Sequence, residues 1–226
     1  MRVTFYGQSC LAVEIHGKSL LFDPFIRQNE LARDVDVSAI RADYILVTHG
    51  HFDHVADAAE FADRTGAPVI ANGQVGYWLE KQGVKETMEL STGGTMRLPF
   101  GRIKYVNAVH GSTMPDGSDG GQAGGFVVES EEGNFYHSGD TALTMDMQLI
   151  GQATKLTFAA LCIGDHFTMG AEDAVRAAEF VRCDRVLGIH YDTFPPIRID
   201  HEEAKRRFRE AGKELTLLPV GASHDF

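Results

Sequence analysis

The chain is short of cysteine, of positive charge and of long apolar runs, and each shortage excludes something. Only three cysteines occur in 226 residues. Cys10, Cys162 and Cys183 are an odd number, lie far apart and form no Cys-x-x-Cys pair, a pattern that predicts reduced core thiols in a cytoplasmic protein and no disulfide framework. Basic residues number 21 against 32 acidic ones, a formal net charge of −11. Such a chain repels phosphate backbones, so nucleic acid is a disfavoured partner unless bound divalent ions reverse the field locally. Nowhere do about twenty apolar residues run together, which predicts no membrane span. The opening "MRVTFYGQSCLAVEIHG" alternates apolar and polar residues where a signal peptide would carry an unbroken apolar segment. With 43% hydrophobic and 23% charged residues, the composition is that of an ordinary soluble globular protein and not of a disordered one.

Histidine, by contrast, is concentrated. Three of the ten fall in "THGHFDH", Thr48 to His54, directly after the apolar run "YILV". A solvated turn calls for Gly and Asp but not for three imidazoles, whereas imidazole and carboxylate together suit Zn, Mn or Fe. At a strand end alternate residues reach one ion. His49 and His51 would hold one metal, and Asp53 and His54 would face a second.

The surrounding pattern predicts an α/β architecture. "VTFYG", "CLAVEI" and "SLLFDPF" read as strands of a meander, and "DYILVTHGHFDH" as a buried strand that delivers its histidines at the carboxyl end. "DAAEFADRTG" and "GYWLEKQG" follow as helices stopped by Gly66 and Gly83, with "APVIA" as a strand between them. In the second half two hairpin-like segments end in His110 and Asp140, and helices then alternate with strands through "RVLGIHYD" to the final "ELTLLPVG". His49, His110, Asp140 and His190 therefore all sit after strands, in both halves of the chain. This spacing predicts one integrated domain, residues 1–226, with helices covering two packed sheets. The Gly- and Ser-rich stretch Gly111 to Gly125 reads as a mobile loop.

Taken singly, the later candidates are ambiguous. His110 is equally a capped core or surface residue, Asp140 in "SGDT" equally a turn or a helix N-cap, and His190 in "GIHYD" no more decisive. Their order downstream of "THGHFDH" is what counts: it resembles the metallo-β-lactamase superfamily, whose His-x-His-x-Asp-His motif is followed by a His, a bridging Asp and a final His. The resemblance runs from Val3 to about Val220. It implies a four-layer αββα sandwich, two mixed sheets flanked by helices, and a site for two divalent metal ions. His49, His51 and His110 would bind one ion, Asp53, His54 and His190 the other, and Asp140 would bridge them. Asp23 in "FDPF" is similar to the family's early strand-end aspartate, which orients a ligand imidazole; a turn residue before Pro24 is its other reading.

Within the superfamily, the diiron flavoprotein branch has Glu where this chain has His51, secreted β-lactamases need a signal peptide, and RNA-processing relatives carry a basic arm that this acidic chain lacks. The sequence is most similar to short metal-dependent hydrolases related to ascorbate-6-phosphate lactonases, a group whose typical segment resembles "IGDHFTMGAEDA", Ile163 to Ala174. Asp165 and His166 there either line a substrate pocket or cap the helix beginning at Thr168 to Glu172.

The implied chemistry is hydrolysis by a hydroxide shared between two metals roughly 3.5–4 Å apart, acting on an ester, lactone or phosphodiester of a small molecule. Zn, Mn and Fe all accept these ligands. Asp53 is also a candidate proton acceptor, within the limits of its ligand role. Two alternatives stay open: a nuclease of the same fold acting on RNA or DNA, and a non-catalytic metal-binding sensor. His16, His137, His201 and His224 read as structural or exposed. A symmetric homo-oligomer is the default expectation for assembly.

Overall fold

The computed structural model describes residues 1–226. Its first sheet contains β1 (Arg2–Phe5), β2 (Leu11–Ile15), β3 (Lys18–Phe22), β4 (Tyr44–Leu46), β5 (Val69–Ala71) and β6 (Thr87–Glu89). The second holds β7 (Thr95–Leu98), β8 (Gly101–Asn107), β9 (Gly124–Ser130), β10 (Gly133–His137), β11 (Phe158–Cys162), β12 (Arg185–Ile189) and β13 (Glu214–Thr216). The last strand, β14 (Ser223–Asp225), returns to the first sheet and pairs antiparallel with β1. Strand order is β14-β1-β2-β3-β4-β5-β6 in one sheet and β13-β12-β11-β10-β9-β8-β7 in the other. Both sheets are mixed: pairing is parallel from β3 to β6 and from β10 to β13, and antiparallel elsewhere.

Between the strands run α1 (Phe52–Val55), α2 (Ala58–Thr65), α3 (Gly73–Lys81), α4 (Met147–Ala153), α5 (Ala171–Phe180) and α6 (His201–Glu210). Side chains that alternate along a strand point to opposite faces, and here each face has its own core. Leu20, Phe22, Leu46 and Ile70 pack with Phe126, Phe135 and Phe158 of the second sheet. Their neighbours Leu21, Ile45, Val47, Val69 and Ala71 pack instead with Phe61 and Ala62 of α2 and Val75 and Leu79 of α3. Ala174, Ala177 and Ala178 of α5 and Phe208 of α6 join the core of the second sheet. The result is helix, sheet, sheet, helix, as expected from the sequence.

Local signals explain the helix boundaries. Gly66 stops α2 at φ +72°, Asn72 caps α3 by accepting from Val75 N, and Asp200 caps α6 by accepting from Glu202 N and Glu203 N. β6 and β14 have no counterpart among the sequence-predicted strands. Each has three residues and lies at an edge of its sheet, too short for a period of two to register. The polar stretch 27–41 contains two single turns of 3-10 helix, Glu30–Ala32 and Val37–Ala39. All three cysteines are buried and unpaired, and no helix is long and apolar enough to cross a membrane.

The loop expected to be mobile is anchored. Ser112 Oγ accepts from Gly50 N and donates to the Gly120 carbonyl, Asn72 Nδ2 donates to the carbonyls of Gly120 and Gln122, and Met114 is buried. Trp78 Nε1 donates to Asp116 Oδ2 at the exposed tip. Gly50 makes this packing possible, because a Cβ there would stand 2.4 Å from Met114 Sδ.

Candidate metal centre

Three chain segments deliver imidazoles to a carboxylate carried by a fourth. His49 follows β4, His110 follows β8, Asp140 follows β10 and His190 follows β12, so all four lie past the carboxyl ends of strands. Asp140 Oδ2 stands 2.9 Å from His190 Nε2, 3.3 Å from His54 Nε2, 3.5 Å from His110 Nε2 and 3.8 Å from His49 Nε2. Around it the donors fall into two groups, His49, His51, His110 and Asp140, and Asp53, His54, Asp140 and His190; within each group the ligand atoms lie within 4.8 Å of one another. Asp140 belongs to both.

Hydrogen bonds behind the cluster set the imidazole tautomers. Asp23, fully buried, accepts from Thr48 N (2.8 Å), Thr48 Oγ1 (2.7 Å) and His54 Nδ1 (2.8 Å). The single hydroxyl proton of Thr48 is thereby committed to Asp23. Thr48 Oγ1 can then only accept from His49 Nδ1, 3.0 Å away, and both His49 and His54 are left with Nε2 turned to the centre. His54 Nε2 and Asp140 Oδ1 are buried and have no hydrogen-bond partner. Orphaned donors and acceptors of this kind are costly in a folded interior, and five imidazoles with two carboxylates form a donor set that suits Zn, Mn or Fe. The residues fit divalent ions.

The electrostatics point the same way. Burial pushes His49, His51 and His110 below the ordinary imidazole range. Burial opposes the charge of His54 as well, but the carboxylates of Asp140, Asp23 and Asp53 outweigh it and hold His54 well above its usual value. His190, against the same penalty, is pushed up to about 9 by Asp140 and Asp53. Burial would raise Asp53 and Asp140, yet the neighbouring His54 and His190 keep both below the ordinary carboxylate range. Without ions, protons on His54 and His190 balance charge that cations would otherwise neutralise.

Gln8 escapes any reading of the sequence. It is fully buried, its side-chain Nε2 donates to Asp53 Oδ2 at 2.8 Å, and its carbonyl accepts from His190 N at 2.7 Å. Gln8, Asp23 and His190 all adopt left-handed backbone, with φ of +53°, +42° and +56°, a conformation that non-glycine residues hold only where tertiary contacts impose it. Nothing in "YGQSC" distinguishes Gln8 from an ordinary turn residue.

Asp165 and His166 are in neither of the places expected. The opening above the clusters is lined by Phe167, not by its two predecessors, and α5 is capped by Gly170 without a side-chain hydrogen bond. Asp165 lines a separate groove beside α5 and α6. Both residues, at φ +61° and +36°, form a tight turn closed by Thr168 N donating to the Asp165 carbonyl. His137 is structural: it stacks on Phe22, its Nε2 donates to the Ser9 carbonyl and its Nδ1 accepts from Gly139 N, next to Asp140. His201, expected on a solvated face, is half-exposed and pairs with Asp192 at 2.6 Å.

Comparison with known proteins agrees with this geometry. The model of the beta-lactamase superfamily domain matches residues 18–191. A "UPF0173 metal-dependent hydrolase" of Christiangramia forsetii is 52% identical over 224 residues, covering 99% of each chain, and one of Methylacidiphilum infernorum is 48% identical over 223 residues with the same coverage. The solved structure of Igni18, described as a novel metallo hydrolase from the archaeon Ignicoccus hospitalis, superposes with a TM-score of 0.89 at 31% identity, covering 100% of this chain and 98% of that one. With donors from the carboxyl ends of strands in both sheets gathered on one aspartate, and matches along the whole chain, one assignment is left: the chain belongs to the beta-lactamase superfamily, among relatives named metal-dependent hydrolases.

Proposed function

We propose that the chain is a hydrolase with a dinuclear centre that cleaves an ester, lactone or phosphodiester of a small molecule. The observation that carries this reading is Asp140 Oδ2, set among four imidazole Nε2 atoms from three other segments of the chain. His49, His51 and His110 would hold one divalent ion and Asp53, His54 and His190 the other, with Asp140 between them; Zn and Mn suit the set, and Fe is also compatible. Such ions supply a nucleophile, by making water acidic enough to ionise near neutral pH, and a Lewis acid for the substrate oxygen.

The chain's own residues prepare that chemistry. Asp23 fixes His54, and Thr48 fixes His49, in the tautomers that present Nε2 inward. Asp53, more exposed than Asp140 and lining the opening, is the carboxylate placed to pass a proton towards a leaving group. No Ser or Cys nucleophile lines the opening, and none is needed.

Elemental analysis of the purified protein beside His49→Ala and Asp140→Ala variants tests the proposal. Close to two ions per chain, reduced in both variants, together with chelator-sensitive hydrolysis of an ester and lactone panel, is the expected result. Metal content that the substitutions leave unchanged would overturn it.

A further inference from the structure

The opening above the clusters encloses about 420 Å³. Apart from cluster residues, its walls are Phe52, Phe167, Phe194 and Pro196, and no lysine or arginine is among them. Phe52 is 42% exposed and Phe167 49%, an apolar surface left open to water at the entrance of a charged centre. A benzene ring in that position has a cost unless something covers it during function. The rings are also held in place. Phe52 packs edge-on against buried Phe25 with centroids 5.2 Å apart, and Phe194 lies 6.3 Å from Phe25 and 6.4 Å from Phe52. Phe167 is carried by the tight Asp165–His166 turn, whose left-handed residues the surrounding chain must impose.

Charge narrows the occupant. Sites for phosphate esters supply Arg or Lys to the phosphoryl oxygens beyond any metal, and here the lining outside the residues assigned to the ions is only Phe52, Phe167, Phe194 and Pro196. An anionic group outside the centre would meet aromatic rings, with nothing to replace its water.

We infer that the substrate is a neutral carboxylic ester or lactone with an apolar arm, the arm seated among Phe52, Phe167 and Phe194 and the carbonyl directed at Asp140 and His190. This rests on the hydrolase reading above and selects within it, against phosphorylated lactones and phosphodiesters. The reaction is an acyl transfer to water: the water oxygen bonds to the carbonyl carbon, and the carbon–alkoxy bond breaks with its electron pair going to the alkoxy oxygen. That oxygen takes up one proton of the water, and the acid and alcohol are released.

Three substrates with one leaving group test the inference on the metal-loaded protein: 4-nitrophenyl acetate, 4-nitrophenyl hexanoate and the phosphodiester bis(4-nitrophenyl) phosphate. The expected kcat/KM for hexanoate exceeds that for acetate at least tenfold and that for the phosphate at least a hundredfold. Phe52→Ala and Phe167→Ala should each shrink the hexanoate-to-acetate ratio several-fold. Calorimetric titration with N-phenylhexanamide, a neutral amide in place of the ester, gives a readout independent of turnover. Its affinity should fall about tenfold in Phe167→Ala, in line with the loss of a large apolar contact surface. Phosphate ester cleaved as fast as hexanoate, or an amide that binds wild type no better than Phe167→Ala, overturns the inference. If none of the three esters is cleaved while metals are bound, the hydrolase reading fails, and the amide titration still decides whether the cavity takes an apolar arm.

Discussion

Gln8 and Asp53, 45 positions apart, are joined by a 2.8 Å hydrogen bond from Nε2 to Oδ2, while the Gln8 carbonyl receives the amide of His190. One buried residue thus braces two donors of the same cluster. Removing its side chain in Gln8→Ala should weaken metal retention about 10–100-fold, the usual effect of losing a partner behind a ligand. Competition against a chromophoric chelator measures this, and unchanged retention would make Gln8 a turn residue only.

Asp23 presents a steeper case. It accepts three hydrogen bonds in a fully buried setting. Asp23→Ala leaves Thr48 N without a partner and His54 Nδ1 with only Thr48 Oγ1 at 3.5 Å, and should cost about 3–5 kcal/mol, the range for breaking a buried charged pair by removing one side. Urea denaturation of the metal-free protein gives the number. Asp23→Asn, which keeps an acceptor oxygen, should lose less.

Proton uptake at the centre opposes ion uptake. His190 titrates at about 9 in the metal-free fold and His54 well above its ordinary value, so both carry protons that ions must displace. Apparent affinity should therefore climb from pH 6 to pH 9 and flatten beyond it. For stability of the metal-free protein the sign is reversed. A raised histidine contributes fully below its unfolded value near 6.5 and loses that contribution as pH rises through about 9. Below about pH 7 the lowered His49, His51 and His110, neutral in the fold but protonated once unfolded, act in the other direction; opposite slopes, affinity rising and metal-free stability falling, are therefore the expected outcome of chelator competition and urea titrations between pH 7.5 and pH 9.

Gly50 lies between two donor histidines and under the Gly111–Gly125 loop. A Cβ there would meet Met114 Sδ at 2.4 Å and the Ser112 carbonyl at 3.1 Å. Gly50→Ala should destabilise the fold by about 1–3 kcal/mol, as overpacking does. Adding Met114→Ala should restore part of the loss, because the closest clash is with a flexible side chain. Thermal melts of the single and double variants decide it; a double variant no more stable than the single one would place the strain in the loop backbone.

The strands, the helices and the first cluster residues were legible because they are written in local order, and the later candidates His110, Asp140 and His190 through the family resemblance of their order. Short apolar runs such as "SLLF" and "YILV" mark buried strands that end where a ligand belongs, and "THGHFDH" is dense enough in imidazole to announce its chemistry before any fold is known. Two kinds of information were not local. How closely the imidazoles gather on Asp140, already named as the bridging candidate by the resemblance, depends on strand order, since β4, β8, β10 and β12 meet only after two sheets pack face to face. The roles of Gln8, Phe167 and Phe194 depend on which side chains are buried or left open around that hub. A left-handed Gln8 and a tight turn at Asp165–His166 carry no propensity signal of their own, because contacts from distant segments impose those backbone angles. The sequence by itself thus determined the strands, the helices and the first candidate donors, through short-range pattern and residue chemistry, and named the later candidates and the layered fold through the resemblance that their order carries. Only tertiary packing decided how the donors are oriented, what braces them and that the entrance is aromatic, because those properties belong to residues far apart in the chain that share one desolvated volume.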